Sequence, residues 1–204
     1  MFLEDTPPLG TSPRSDSRSG PGRPARLPDP TRAAETAVLG QVQRTLHQPG
    51  VVSAARGMSH FGEHAAGWLA LGLLGASCDR PRRRRWLRAA AAVAFAHGAS
   101  IGVKRVVRRP RPDDPSVEIR VGTPSRLSFP SSHASSTTAA AVAYGALLGR
   151  PLSPVLVPPM LLSRLVLGVH FPTDVLVGSA LGALVAKAAG RVDRRLADRQ
   201  ESSS

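Results

Sequence analysis

The stretch 163–174, "SRLVLGVHFPTD", decides how this chain is read. It sets an arginine, a histidine and an aspartate within twelve residues of one of the most apolar parts of the sequence. A charge withdrawn from water is costly unless it is paired or put to chemical use. Arg164 lies near the end of one apolar run, 154–169, while His170 and Asp174 stand at the start of the next, 173–189. Polar groups gathered at the junction of two greasy segments suit a reactive centre better than a core.

Working outward, three more apolar segments precede these two, at 51–78, 86–103 and 131–148. Several fall short of the roughly 18 uninterrupted apolar residues of a clear membrane span, so a soluble all-α bundle is the competing reading. Two features favour the membrane. The segments are rich in Ala and Gly, which let membrane helices approach closely. They also lack the charged outer stripe that a soluble helix requires. Ahead of them, 33–47 puts Ala37, Val38, Gln41, Val42 and Leu46 on one helical face, with Glu35, Gln43 and Arg44 elsewhere. This reads as a weakly amphipathic helix at a membrane interface, stopped by Pro49 and Gly50.

The totals agree. A length of 204 residues fits one domain, and a net charge of +13 points to an anionic partner. Aromatics at 4% are too few for a platform that stacks single-stranded nucleic acid. The single cysteine, Cys78, excludes an intrachain disulfide and any Cys-rich zinc site. Mean hydropathy near zero, −0.08, averages two unlike regions. Residues 1–32 are Pro-, Gly-, Ser- and Arg-rich and are expected to be disordered, with no signal peptide evident. Residues 191–204 form a polar tail, and 33–190 hold the membrane domain.

Arginines 80, 82–85 and 88 crowd the link between the first two spans. The positive-inside rule makes that link cytoplasmic, together with the basic C-terminus. Alternation then places links 104–130 and 168–172 together on the opposite face. Three polar clusters meet there: Lys104 with Arg111 and Pro112 in "KRVVRRPRP", Pro130-Ser131-Ser132-His133, and Arg164, His170 and Asp174. Cations, hydroxyls and two imidazoles at one end of a bundle compose a phosphate-handling site. Pro130 and Pro172 suit first helical positions, Ser131 and Ser132 suit caps, and helix starts offer free amides to an anion. Asp174 can hold the proton of one His170 nitrogen and leave the other free to attack.

Lys104-x6-Arg111-Pro112, then Pro130-Ser131-Ser132-His133, then Ser163-Arg164-x5-His170-x3-Asp174 resemble, in order and spacing, the three motifs of the type 2 phosphatidic acid phosphatase superfamily. That family includes membrane lipid phosphatases and vanadium haloperoxidases. The motifs cover roughly 70 residues and the helix pattern extends the likeness over about 50–190. The resemblance implies an all-α membrane bundle of about five spans plus an N-terminal interfacial helix. It implies His170 as a nucleophile forming a phosphohistidine and Asp174 as its orienting group. His133 would be the acid for the leaving oxygen and then the base for water. Lys104, Arg111, Arg164, Ser131 and the amides near Ser132 would be phosphate ligands. No metal or other cofactor is implied, and no metal-ligand spacing occurs.

Ser132 departs from the family's usual glycine; a positive φ there would strain a serine. Arg105, Arg108 and Arg109 read as lipid-headgroup contacts, and Arg82–Arg85 as a topology signal. His60, Glu63 and His64 share a helical face on the motif side and are candidates for substrate head-group contact; His97 is a mid-span polar contact. The "GTPSRLSFPSSHASSTTAA" stretch resembles family members that act on decaprenylphosphoryl-5-phosphoribose, a cell-wall arabinan precursor. Polyprenyl diphosphates, phosphatidylglycerophosphate and phosphatidic acid are the alternatives, since the motif residues read phosphate alone. A non-catalytic lipid-phosphate binder, a soluble vanadate-dependent oxidase and a nucleic-acid binder are the rivals from other classes. The expected partners are a lipid-linked phosphate and membrane lipids.

Overall fold

The computed structural model describes residues 30–201; the tail expected to be disordered lies outside these up to residue 29. Seven α-helices follow one another: α1 (Pro30–Thr45), α2 (Pro49–Gly62), α3 (Ala66–Cys78), α4 (Arg83–Val107), α5 (Ser132–Leu148), α6 (Ser153–Val166) and α7 (Pro172–Glu201). Single 3-10 turns at Glu63–Ala65 and Arg80–Arg82 flank α3. Among the described residues the only β-type pairing is the isolated bridge Pro110–Leu127.

The apolar segment 51–78, expected as one span, is two helices. His64 and Ala65 both adopt left-handed backbone, with φ of 50° and 60°, and break it at the cavity described below. Such angles are uncommon outside glycine and cost energy that the surroundings must hold in place. At the other terminus the polar segment after Gly190 is no separate element, because α7 continues to Glu201.

The bundle is apolar outside and small or polar inside. Phe95, Val155, Leu176 and Leu184 are each at least 60% exposed, while Ser135, Ser136, Thr137 and Thr138 on α5 are buried. Water would penalise such an exterior and lipid would not. Two described helical stretches are long and apolar enough to cross a membrane, Arg80–Val107 and Pro172–Arg195; Ser153–Val166 is apolar but shorter. At 1.5 Å per residue, α4 reaches about 37 Å and α6 about 21 Å, against a hydrocarbon layer of about 30 Å.

The buried hydroxyls of α5 are satisfied locally. Ser135 and Ser136 donate back to the carbonyls of Ser131 and Ser132 at 3.1 and 3.0 Å. Thr137 accepts from the Trp68 indole at 3.0 Å, and Thr138 pairs with Ser179 of α7 at 2.8 Å. Ala89, Val93 and Ala96 of α4 pack with Ala139, Ala140 and Tyr144 of α5 in the main apolar cluster. Gly178 and Gly182 let α7 touch the α5 backbone: a Cβ on either would run into the carbonyl oxygens of Ser131 or Ser135.

Helix α1 docks by a face turned partly away from the one its apolar pattern marks: of that stripe, Val42 and Leu46 are half-buried on the cluster of Ala55, Val166, Leu167 and Val169. Glu35, Leu39, Gly40 and Gln43 are buried, whereas Ala37, Val38 and Gln41 are exposed. Gln43 donates to the carbonyls of Glu118 and Val166 at 2.7 and 3.1 Å and accepts from the Glu118 amide at 2.9 Å. Ala37 and Val38 are the part of the stripe left for lipid at a membrane surface, while Glu35 and Gln43 turn inward with Leu39.

Candidate active site

The three motif clusters converge on one cavity of about 600 Å³. Lys104 comes from the last turn of α4, Arg111 from the long 108–131 link, Ser132 and His133 from the start of α5, Arg164 from the end of α6, and His170 from the turn before α7. His60, Glu63, His64 and His97 line the same cavity. The link folds over the site because Arg111 binds back on it. Its amide donates to the Arg126 carbonyl at 3.2 Å and its Nε to the Ser125 carbonyl at 2.8 Å.

His170 is placed by a tight turn. Gly168 has φ of 70°, and a side chain there would strike the Glu118 carbonyl, so only glycine fits the approach. The imidazole is buried, with Nδ1 3.6 Å from Asp174 Oδ2 and Nε2 3.4 Å from Arg111 Nη1. A guanidinium can only donate, so the nitrogen facing it carries the lone pair and the ring proton sits on Nδ1, toward Asp174. That tautomer leaves the lone pair on Nε2. Burial, and then the cations Arg111, Lys104 and Arg164, hold the imidazole well below its ordinary value of 6.5. Burial likewise lowers Arg111 to about 10, against the opposing pull of Asp174.

Arg164 is 2% exposed, and its Nε and Nη2 are buried without a hydrogen-bond partner in the protein. A buried guanidinium with no carboxylate of its own is costly, and a phosphate is its natural complement. His133 lies 3.0 Å by Nε2 from the Ser59 carbonyl. Because a carbonyl only accepts, Nε2 holds the proton and Nδ1 is the basic atom of the neutral ring.

The two serines separate. Ser132 opens α5 and is not among the positive-φ residues, so the absence of glycine there imposes no backbone strain. Ser100 contacts both the His97 carbonyl at 2.6 Å and Ser132 Oγ at 2.7 Å. Ser100 has one proton, which the carbonyl takes, so the proton between the two hydroxyls is that of Ser132. The Ser132 hydroxyl is thus held by α4. Ser131 does not line the cavity: its hydroxyl caps α5 by accepting from the Ala134 amide, and its own amide donates to the Asp174 carbonyl at 2.9 Å. Its predicted place beside the phosphate is therefore corrected to helix capping and α5–α7 docking. Pro130 lies ahead of the cap, while Pro172 does open its helix.

Asp174 is fully buried beneath His170. Its Oδ2 accepts from the Phe171 amide at 2.8 Å and its Oδ1 from Arg109 Nη1 at 2.8 Å. Arg109, read from sequence as a headgroup contact, instead sits inside the protein. It also meets Thr173 Oγ1 at 2.7 Å, forms an ion pair with Glu35 and stacks 4.2 Å over the Phe171 ring. Burial alone would raise the Glu35 carboxyl; hydrogen bonds from Thr173 and Arg109 outweigh it and hold the group below its ordinary range. Two signals pointed here. Glu35 is the one acid in residues 30–47, and Arg109 falls inside the Lys104–Arg111 motif.

Along the same cavity the His64 and His97 rings lie 6.4 Å apart, and His60 stands 3.8 Å from Glu63.

Comparison with known proteins fits this geometry. The PAP2 superfamily model matches residues 85–196. The decaprenylphosphoryl-5-phosphoribose phosphatase of Mycobacterium tuberculosis is 57% identical over 152 residues, covering 74% of this chain and 86% of that protein. The protein of that name from Mycolicibacterium smegmatis is 57% identical over 145 residues, covering 71% and 81%. Among solved structures, a transmembrane PAP2-type phosphatidylglycerolphosphate phosphatase from Bacillus subtilis superposes with a TM-score of 0.70 at 24% identity, over 82% of this chain and 88% of that one. Aquifex aeolicus LpxE gives 0.63 at 18% identity, over 76% and 94%.

Proposed function

This chain belongs to the PAP2 superfamily, and we propose that it removes the 5-phosphate of decaprenylphosphoryl-5-phosphoribose at the membrane through a phosphohistidine on His170. The observation that carries the reading is the pairing, in one cavity, of the unpartnered Arg164 guanidinium with the buried His170 imidazole. The relatives named for this activity and alike over most of both chains support the substrate.

In the first step His170 Nε2 attacks phosphorus, the bond from phosphorus to the sugar oxygen breaks, and protonated His133 supplies that oxygen with a proton. Arg164, Arg111 and Lys104 hold the phosphate oxygens, joined by the Ser132 amide at the α5 N-terminus. His133, now neutral, takes a proton from water, which attacks the phosphohistidine and releases phosphate. Asp174 holds the Nδ1 proton and stabilises the positive ring that forms. His60, Glu63, His64 and His97 contact the sugar along the cavity. The prenyl chain leaves between helices into lipid.

The Arg88–Asp193 contact at 3.0 Å brings the basic 80–88 link and the end of α7 together, away from the cavity. By the positive-inside rule that end is cytoplasmic, and the reaction occurs on the other face.

The test is phosphate release by the detergent-purified protein with EDTA present. The substrates offered are a polyprenyl-phosphoryl ribose 5-phosphate, a polyprenyl diphosphate, phosphatidylglycerophosphate and phosphatidic acid, with His170→Ala as control. Preference for the sugar phosphate, lost in the variant, is expected. Preference for another lipid would reject the substrate, and turnover by His170→Ala would reject the mechanism.

A further inference from the structure

We propose that Arg109 and Glu35 act as a positioning relay for Asp174, making the interfacial helix α1 part of the apparatus that orients the nucleophile. The inference rests on the reading of His170 and Asp174 given above.

The relay is hydrogen-bonded as far as Asp174, whose Oδ2 stands 3.6 Å from His170 Nδ1, an electrostatic contact, while its other oxygen is fixed at 2.8 Å by Arg109 Nη1. The second terminal nitrogen of Arg109 is held by Glu35 Oε2. Glu35 Oε1 accepts from both the amide and the hydroxyl of Thr173, at 3.0 and 2.6 Å. The Thr173 hydroxyl has one proton, which goes to Glu35, so the oxygen accepts from Arg109 Nη1. One guanidinium thus joins two carboxylates and a hydroxyl across two segments 138 residues apart, Glu35 and Thr173.

The parts are buried: side-chain exposure is 21% for Arg109, 9% for Glu35 and none for Asp174. A surface ion pair would be mobile and weak, but a buried planar fork fixes direction. Without it, the Asp174 carboxylate keeps the Phe171 amide on Oδ2 but loses the hold on Oδ1 that sets its tilt toward Nδ1, and two buried carboxylates face each other with no guanidinium between them. Lysine keeps the charge, but its three donors radiate from one nitrogen and cannot reproduce the planar fork whose separate nitrogens reach Asp174 and Glu35. A group that orients the nucleophile changes turnover; it does not change how the substrate is held.

The test uses the full chain in detergent and the substrate that the wild type hydrolyses best. Glu35→Gln, Arg109→Lys, the double variant, and Glu35→Gln in an Asp174→Asn background are compared by steady-state kinetics and thermal melting. We expect kcat to fall about 5-fold for Glu35→Gln and about 50-fold for Arg109→Lys, with KM within about 2-fold. The double variant should match Arg109→Lys alone, and Glu35→Gln should have no further effect once Asp174 is replaced. A rise in KM at constant kcat would overturn the relay. So would losses that multiply in the double variant, or a Glu35→Gln effect undiminished in the Asp174→Asn background. Glu35→Gln keeps its size and decides the question even if Arg109→Lys does not fold. If His170→Ala stays active, the catalytic reading itself has failed; a silent Glu35→Gln in a protein that needs His170 rejects the relay alone.

Discussion

Both ends of this bundle are rich in arginine, and they use it in opposite ways. At the cavity end Arg109 and Arg164 are mostly or wholly buried, one bridging two carboxylates and the other with bare nitrogens. At the far end Arg83, Arg84 and Arg85 are exposed on the first turn of α4. The same side chain is a fixed electrostatic part where water is excluded and an interchangeable charge where it is not. Burial, with what it forces each charge to find as a partner, separates chemistry from topology.

The contrast breaks first at the nucleophile. Replacing His170 by alanine should lower kcat by at least about 10⁴-fold, since the residue that forms the intermediate is lost; single-turnover phosphate release measures it. Arg164→Ala should lower kcat/KM by about 10²–10³-fold, as for loss of one charge-stabilising donor in a dry site. Residual activity near wild type would mean that the buried guanidinium is structural.

The pH profile sharpens the same comparison. In the proposed mechanism only unprotonated His170 attacks, and burial with Arg111, Lys104 and Arg164 holds its pKa well below 6.5. Turnover should therefore persist as pH falls through 6.5, with the acid limb lying lower. The groups around the ring are Lys104 from α4, Arg111 from the link, His133 from α5, Arg164 from α6 and Asp174 from α7. Arg111→Gln removes one cation and should move the limb upward; a wild-type limb centred at or above 6.5 would contradict this.

Gly168→Ala should be milder, destabilising the protein by about 1–3 kcal/mol through its left-handed backbone and the nearby Glu118 carbonyl, read as a lower melting temperature. Arg84→Ala should leave kcat/KM unchanged. A large loss there would erase the distinction between the two ends.

Most of the site was legible because its chemistry is local in sequence. Arg164, His170 and Asp174 lie within one turn-and-helix unit, and Lys104 and Arg111 span one helix end, so each cluster falls within reach of the motif resemblance. The apolar stripe of α1 overlaps its docking face only at Val42 and Leu46; that face centres on Glu35, Leu39 and Gln43, which the stripe leaves out. Arg109 escaped for a related reason: among neighbouring arginines nothing local says which one turns inward. Left-handed Arg108, with φ of 53° at the end of α4, redirects the chain ahead of Arg109, and that lies beyond composition. Ser131 was misjudged because a cap and an anion ligand draw on the same residue types.

Helices α5 and α7 both start at the cavity, and they meet backbone to backbone where Gly178 and Gly182 lie against Ser131 and Ser135. His133 rides on one helix and Asp174 on the other. Sliding one past the other by a single turn would carry the acid and the nucleophile's support about 5.4 Å apart. Two missing methyl groups on the neighbouring helix, outside the cavity itself, thus act as the gauge that sets how far the acid stands from the nucleophile it serves.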